Sequence, residues 1–196
     1  MDEKEKASKI FDHLALYQSK GHAAIYPGFR DVIDSIVQHE YRGAIENDSY
    51  LDALFLTDIM LQRTNNTLAI FTGSSANDFY GAMTASFEAA LTRIQKTGGK
   101  ARMIMLDSVP SEFLKQMAET FSNCFNIRSA TTKDKAIIKH FNVCDGTMAR
   151  IEEPHDKLTM DSPSDLVKAK VYFNNPDVAK ERLGYFDAAW NYLAST

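Results

Sequence analysis

Between Thr67 and Thr131, three short apolar runs alternate with two helix-like stretches, and a hairpin signal follows soon after. This order constrains the fold more than any other feature of the chain. "TLAIFTG" (67–73), "KARMIMLD" (100–107) and "FNIRSAT" (125–131) are short and rich in β-branched and apolar residues, as buried strands are. The stretch from about Asn77 to Lys96 carries Phe79, Met83, Phe87, Ala90, Leu91 and Ile94 at helical spacing, and Gly98-Gly99 ends it. "SVPSEFLKQMAETFSN" reads as a second helix. Strand–helix–strand–helix–strand predicts right-handed crossovers and parallel pairing.

The hairpin is "AIIKHFNVC", then Asp145-Gly146, then "TMARIEE". Asp-Gly between alternating strands marks a two-residue turn, because both central positions need positive φ. The polar loop 153–165 leads to a further strand, "LVKAKVYFN" (166–174). Asn175 and Pro176 then suit the cap and first position of a closing helix carrying Val178, Leu183, Phe186, Ala189, Trp190 and Leu193.

Upstream, residues 4–19 place Ile10, Leu14 and Tyr17 on one helical stripe beside Phe11, with Gly21 as C-cap. Residues 28–45 predict a second helix through Phe29, Val32, Ile33, Ile36 and Val37. Asp48 or Ser49 caps a third, "YLDALFLTDIMLQRT", too apolar for an exposed position. The expected fold class is α/β: a mixed, mostly parallel sheet covered by helices on both faces. An N-terminal helical segment (1–49) precedes an α/β domain (50–196).

The ordered pieces "TLAIFTGSS", "GGKARMIML", the hairpin with its turn aspartate, and "KAKVYFNNPDVAKERLGYFDAAW" resemble one half of a phospholipase D-like domain over residues 50–196. The resemblance implies phosphodiester chemistry. It is carried in that family by a His and a Lys two residues apart and an Asp five residues beyond the Lys, often followed by Gly-Ser. One His attacks phosphorus, its counterpart from a second half or subunit protonates the leaving oxygen, and the Lys side chains hold the phosphate. Anchoring the motif at Asp145 puts His140 at the lysine position, Ile138 at the histidine position and Glu152-Glu153 at the Gly-Ser position. Only the aspartate matches. Sliding the motif makes His140 the nucleophile, but Asn142 then replaces the lysine and the aspartate comes two residues early. On a regular strand 138, 140, 142 and 144 share one face, so a lone His140 paired with its copy across a dimer is a third arrangement.

Two functions follow from the resemblance. One is a catalytically degenerate domain acting as a binding, regulatory or assembly module beside nucleic acid or a nucleic-acid-processing protein. The other is an active phosphodiesterase or nuclease using His140, with Asp145, across a homodimer. Whether the chain is an enzyme stays open, with Ile138 and His140 counting against it.

Other candidates are weaker. Gly73, Ser74 and Ser75 lie between a strand and a helix start, where backbone N–H groups can hold an anion, though neither a P-loop nor Gly-x-Gly-x-x-Gly is present. Lys168 and Lys170 share a strand face with Tyr172 and could contact phosphate beside the old active site. His155 and Asp156, near Glu152 and Glu153, have the donor types for a divalent cation. Such loop residues are usually solvated, so no metal and no cofactor is expected. His13, His22 and His39 read as surface or interface residues, and Arg102 as a residue near a strand start or ion-paired.

The net charge of −4 argues against broad, non-specific nucleic-acid binding. Nothing approaches the roughly 18 consecutive apolar residues of a membrane span. The charged start "MDEKEKASKIFDHL" carries no signal-peptide core. Cys124 and Cys144 lack metal-like spacing and read as reduced thiols, so a cytoplasmic location is expected.

Overall fold

The computed structural model describes residues 28–73, 76–131, 138–155 and 167–193. The expected helix over 4–19 with Gly21, His13, His22, Ser74, Ser75 and Asp156 lie outside them. The described elements, in chain order, are α1 (Phe29–Gln38), β1 (Ile45–Asn47), α2 (Tyr50–Arg63), β2 (Thr67–Thr72), α3 (Ala76–Gly81), α4 (Thr84–Thr97), β3 (Lys100–Leu106), α5 (Glu112–Thr120), β4 (Phe125–Ala130), β5 (His140–Cys144), β6 (Met148–Glu152), β7 (Ala169–Tyr172) and α6 (Pro176–Tyr192).

All seven strands join one mixed sheet in the order β1-β7-β6-β5-β2-β3-β4. The expected α/β architecture with a mixed sheet is present, but the sheet is only partly parallel, not mostly so, because the hairpin strands and β1–β7 all pair antiparallel. Its parallel part is β2–β3–β4, joined by the predicted crossovers, and the remaining pairings are antiparallel. One face buries Phe29, Ile33, Leu56, Ile59, Phe87, Leu91 and Leu114 from α1, α2, α4 and α5 against Ile70, Met103, Cys144, Met148 and Val171. The other packs Phe186 and Trp190 of α6 over Phe71, Ile104, Phe141 and Ala149.

Local chemistry explains the boundaries. Ser49 caps α2 by accepting from the Asp52 N–H at 3.0 Å, and Asn175 caps α6 by accepting from the Val178 N–H at 3.2 Å. The helix expected over 28–45 stops at Gln38. Glu40 turns to φ 52 and the Tyr41 N–H returns to the Ile36 carbonyl, a left-handed helix stop. Ile45–Asn47 then pairs antiparallel with β7, so residues before the expected 49/50 boundary share the sheet and core of those after it. The helix expected from Asn77 to Lys96 is two helices, α3 and α4, with Gly81 closing the first.

Candidate functional site

The hairpin sets the site. Asp145 and Gly146 both take positive φ, 50° and 68°, as their types allow. The loop nevertheless holds three residues, because Cys144 pairs with Met148 and Thr147 stays in the turn. This register sets Asn142 opposite Arg150 and His140 opposite Glu152. Along that face of the sheet the core therefore turns from apolar (Cys144, Met148) to polar toward the carboxyl ends of β2 and β6.

The polar groups are buried and tied together. Arg150, 4% exposed, donates to both Glu152 oxygens at 2.6 and 3.0 Å and through Nε to Asn47 Oδ1 at 2.9 Å. Asn47 donates to the Ser49 carbonyl. The Tyr80 hydroxyl donates to Asn142 Oδ1 at 2.7 Å. His155 follows β6, its side chain 6% exposed, with Nε2 3.3 Å from Glu152 Oε2. The His140 and His155 rings meet nearly edge to face, with centroids 5.1 Å apart. A buried carboxylate survives only when paired, and here Arg150 pairs it from one side while His155 lies on the other.

Burial shifts the ionisable groups. It depresses His140 to about 4, and the nearby Arg150 and His155 push the same way against Glu152, so His140 is neutral near pH 7. Burial alone would raise Glu152. The Arg150 guanidinium and His155 outweigh it and hold the carboxyl well below the usual range. A cavity of about 30 Å³ opens beside these residues, lined also by Thr72, Phe79 and Tyr80, with room for a water or an ion. Gly73 lies close against His140: a Cβ there would stand 3.0 Å from its Cε1 and Nε2.

The other sequence candidates separate. Asp145 does not join His140, because it lies at the opposite end of β5. Its carboxylate accepts the backbone N–H groups of Asn65, Asn66 and Thr67, each at 2.8 Å, and pins the hairpin to the start of β2. Ile138 does not share the His140 face. The described strand begins at His140, and Ile138 packs with the α6-side core. Lys168 and Lys170 are not beside His140 either. β7 buries Ala169 and Val171 on the His140 side and turns its lysines to the α6 side, where Lys170 lies 3.5 Å from Glu46. They border a groove of about 570 Å³ with Lys139, Glu153 and Arg182. Of the suggested Glu/His/Asp set, Glu153 turns away to Lys139 at 2.7 Å, while Glu152 and His155 meet His140 instead. Arg102 is ion-paired as expected, with Asp187 at 2.7 Å.

The pieces that carry the sequence resemblance thus stand in one sheet: opening strand, crossover, aspartate at the hairpin turn, and Asn-Pro helix. No family model and no curated protein matches the sequence. Among solved structures, TrmBL2, an archaeal chromatin protein with a novel mode of DNA binding, aligns with 96% of this chain at 10% identity and a TM-score of 0.53. The match spans 66% of that protein's chain. Nuc from Salmonella typhimurium, a phospholipase D family member, matches 69% of this chain and 85% of its own at 12% identity, with a TM-score of 0.47. NucT from Helicobacter pylori matches 71% and 86% at 9% identity, with a TM-score of 0.43. The chain shares the fold of TrmBL2. At such identities the likeness concerns the fold alone. In this fold, His140, Glu152 and His155 lie at the carboxyl edge of β2, where open α/β sheets gather ligands.

Proposed function

We propose that the chain is a catalytically degenerate phospholipase D-like domain that serves as a binding, regulatory or assembly module associated with nucleic acid. One observation carries the reading: where the motif calls for a phosphate-holding lysine stands His140, neutral and facing the buried Glu152 carboxylate. A phosphate brought to His140 would meet a fixed negative charge. The Arg150 charge offsets that of Glu152, but its N–H groups are already taken by Glu152 and Asn47, so it does not replace the lysine as a phosphate holder. Asp145 remains, in a purely architectural role.

The association with nucleic acid rests on the shared fold with the DNA-binding TrmBL2. Two of the lysines round the α6-side groove, Lys139 and Lys170, are paired with Glu153 and Glu46, which favours selective contacts over a general phosphate grip. A homodimer belongs to the proposal through the resemblance, and sedimentation of the purified protein tests it. The free, buried Cys124 and Cys144 fit a reducing compartment.

The test is hydrolysis of bis-p-nitrophenyl phosphate and of single- and double-stranded DNA and RNA, with and without divalent metal, beside His140→Ala. The expected result is no turnover and salt-sensitive binding of labelled DNA or RNA. Turnover that vanishes in His140→Ala would make the site a working phosphodiesterase. Absence of nucleic-acid binding at low salt would remove that partner from the reading.

A further inference from the structure

We infer that His140, Glu152 and His155 form a binding site for one zinc-class divalent cation. Three chain segments converge to make it: the first residue of β5, the last of β6, and the segment just after β6. One donor atom from each lies within 4.8 Å of the others. The rings of the two histidines are nearly perpendicular, at 87°, so their in-plane nitrogens can point to one centre instead of stacking.

The spacing suits zinc. With Zn–N and Zn–O bonds near 2.1 Å, tetrahedral donors stand about 3.4 Å apart. His155 Nε2 and Glu152 Oε2 are already 3.3 Å apart. His140 closes the set by a side-chain movement of roughly 1.4 Å or less, the difference between the widest donor spacing and that tetrahedral edge. Two imidazoles and a carboxylate select Zn²⁺ and its transition-metal neighbours over Mg²⁺ and Ca²⁺, which prefer all-oxygen shells.

The surroundings hold the donors in place. Arg150 takes one lone pair from each Glu152 oxygen and leaves the others, so it orients the carboxylate without exhausting it. Its positive charge opposes a cation and makes this a weaker site than a closed structural zinc centre. The adjoining cavity leaves a fourth position for water. Gly73 keeps clear the approach to His140 Nε2. The inference stands apart from the degenerate-domain reading, because a bound cation requires no turnover.

The experiment is titration of the metal-free full chain with Zn²⁺ alone by calorimetry, and with Co²⁺ by visible absorption, beside His140→Ala, His155→Ala and the distant His39→Ala. The expected result is one Zn²⁺ per chain, unaffected by His39→Ala and weakened at least about tenfold by either of the other two. Folding of each variant is checked by circular dichroism. Should His140→Ala and His155→Ala fail to fold, X-ray absorption of the zinc-loaded wild type decides, with two imidazole nitrogens on the metal as the expected shell. No binding, binding indifferent to both variants, or a shell without two imidazoles would overturn the site. A zinc-loaded protein without turnover upholds both readings. One that hydrolyses bis-p-nitrophenyl phosphate only with zinc upholds this site and sinks the degenerate reading.

Discussion

Cys144 stands on the same face of β5 as His140, nearer the hairpin turn and 1% exposed, and burial pushes its thiol up to about 12. The unfolded chain gives up that proton near the ordinary value of 9.0, while the folded chain keeps it. The stability tied to the protonated thiol is therefore complete below about pH 9 and falls as the pH rises towards about 12. The slope is roughly 1.4 kcal/mol per pH unit. Tyr80, whose hydroxyl burial also pushes up from 10.0, adds the same sign above about pH 10. Urea midpoints at pH 7, 9 and 10 should fall between the last two in the wild type, and fall less over that interval in Cys144→Ala, where Cys124, whose thiol burial also pushes up, remains. A wild-type midpoint that does not move would contradict a fully buried thiol. Residues of this kind are partly legible in sequence. An alternating strand beside an Asp-Gly turn implies which side chains are buried, but not how their chemistry shifts.

Among the elements, the β5–β6 hairpin depends on Asp145 more than its turn geometry suggests. Its carboxylate gathers three backbone N–H groups at the head of β2, which would otherwise rely on water. Asp145→Ala should cost about 2 kcal/mol, measured by urea unfolding, since hydrogen bonds to a charged group are worth about 1.5–3 kcal/mol. Asp145→Asn should recover part of that, whereas an equal loss in both would mean that the charge, not the bonding, matters. The hairpin was readable because few residue pairs tolerate two positive φ angles. Its register was not. A two-residue turn would set Ile151 opposite His140, and retaining Thr147 in the loop shifts the facing residue to Glu152. That single step hides the His140–Glu152–His155 cluster from sequence, because alternation fixes faces but not partners. β1 was hidden for another reason: three residues, Ile-Glu-Asn, are too few to show a period. The break at Gly81 went unseen because apolar spacing continues across it.

At the scale of the molecule, the core on the α1 side of the sheet draws residues from before and after position 50. α1 buries Phe29, Ile33 and Ile36 completely, and Asn47 of β1 holds Arg150. No helix of the described residues is long and apolar enough to cross a membrane. A chain beginning at residue 50 should lose the sheet's outer strand and expose the helix face that α1 covers. It should be recovered aggregated, or melt without a cooperative transition by circular dichroism. Recovery of a soluble, cooperatively melting fragment would show that the first 49 residues are a separable segment after all. The pairing of β1 with β7 has a further consequence, one of timing. The strand made first sits against the strand made last, and β6 can be flanked on its outer side only once β7 exists. During synthesis β1 must therefore remain without its sheet partner until β7 has been made, although α1 can already pack on α2 through Phe29 and Phe55. Such long-range closure predicts slow, late folding, in which the parallel strands assemble first and β1 docks only once β7 is in place.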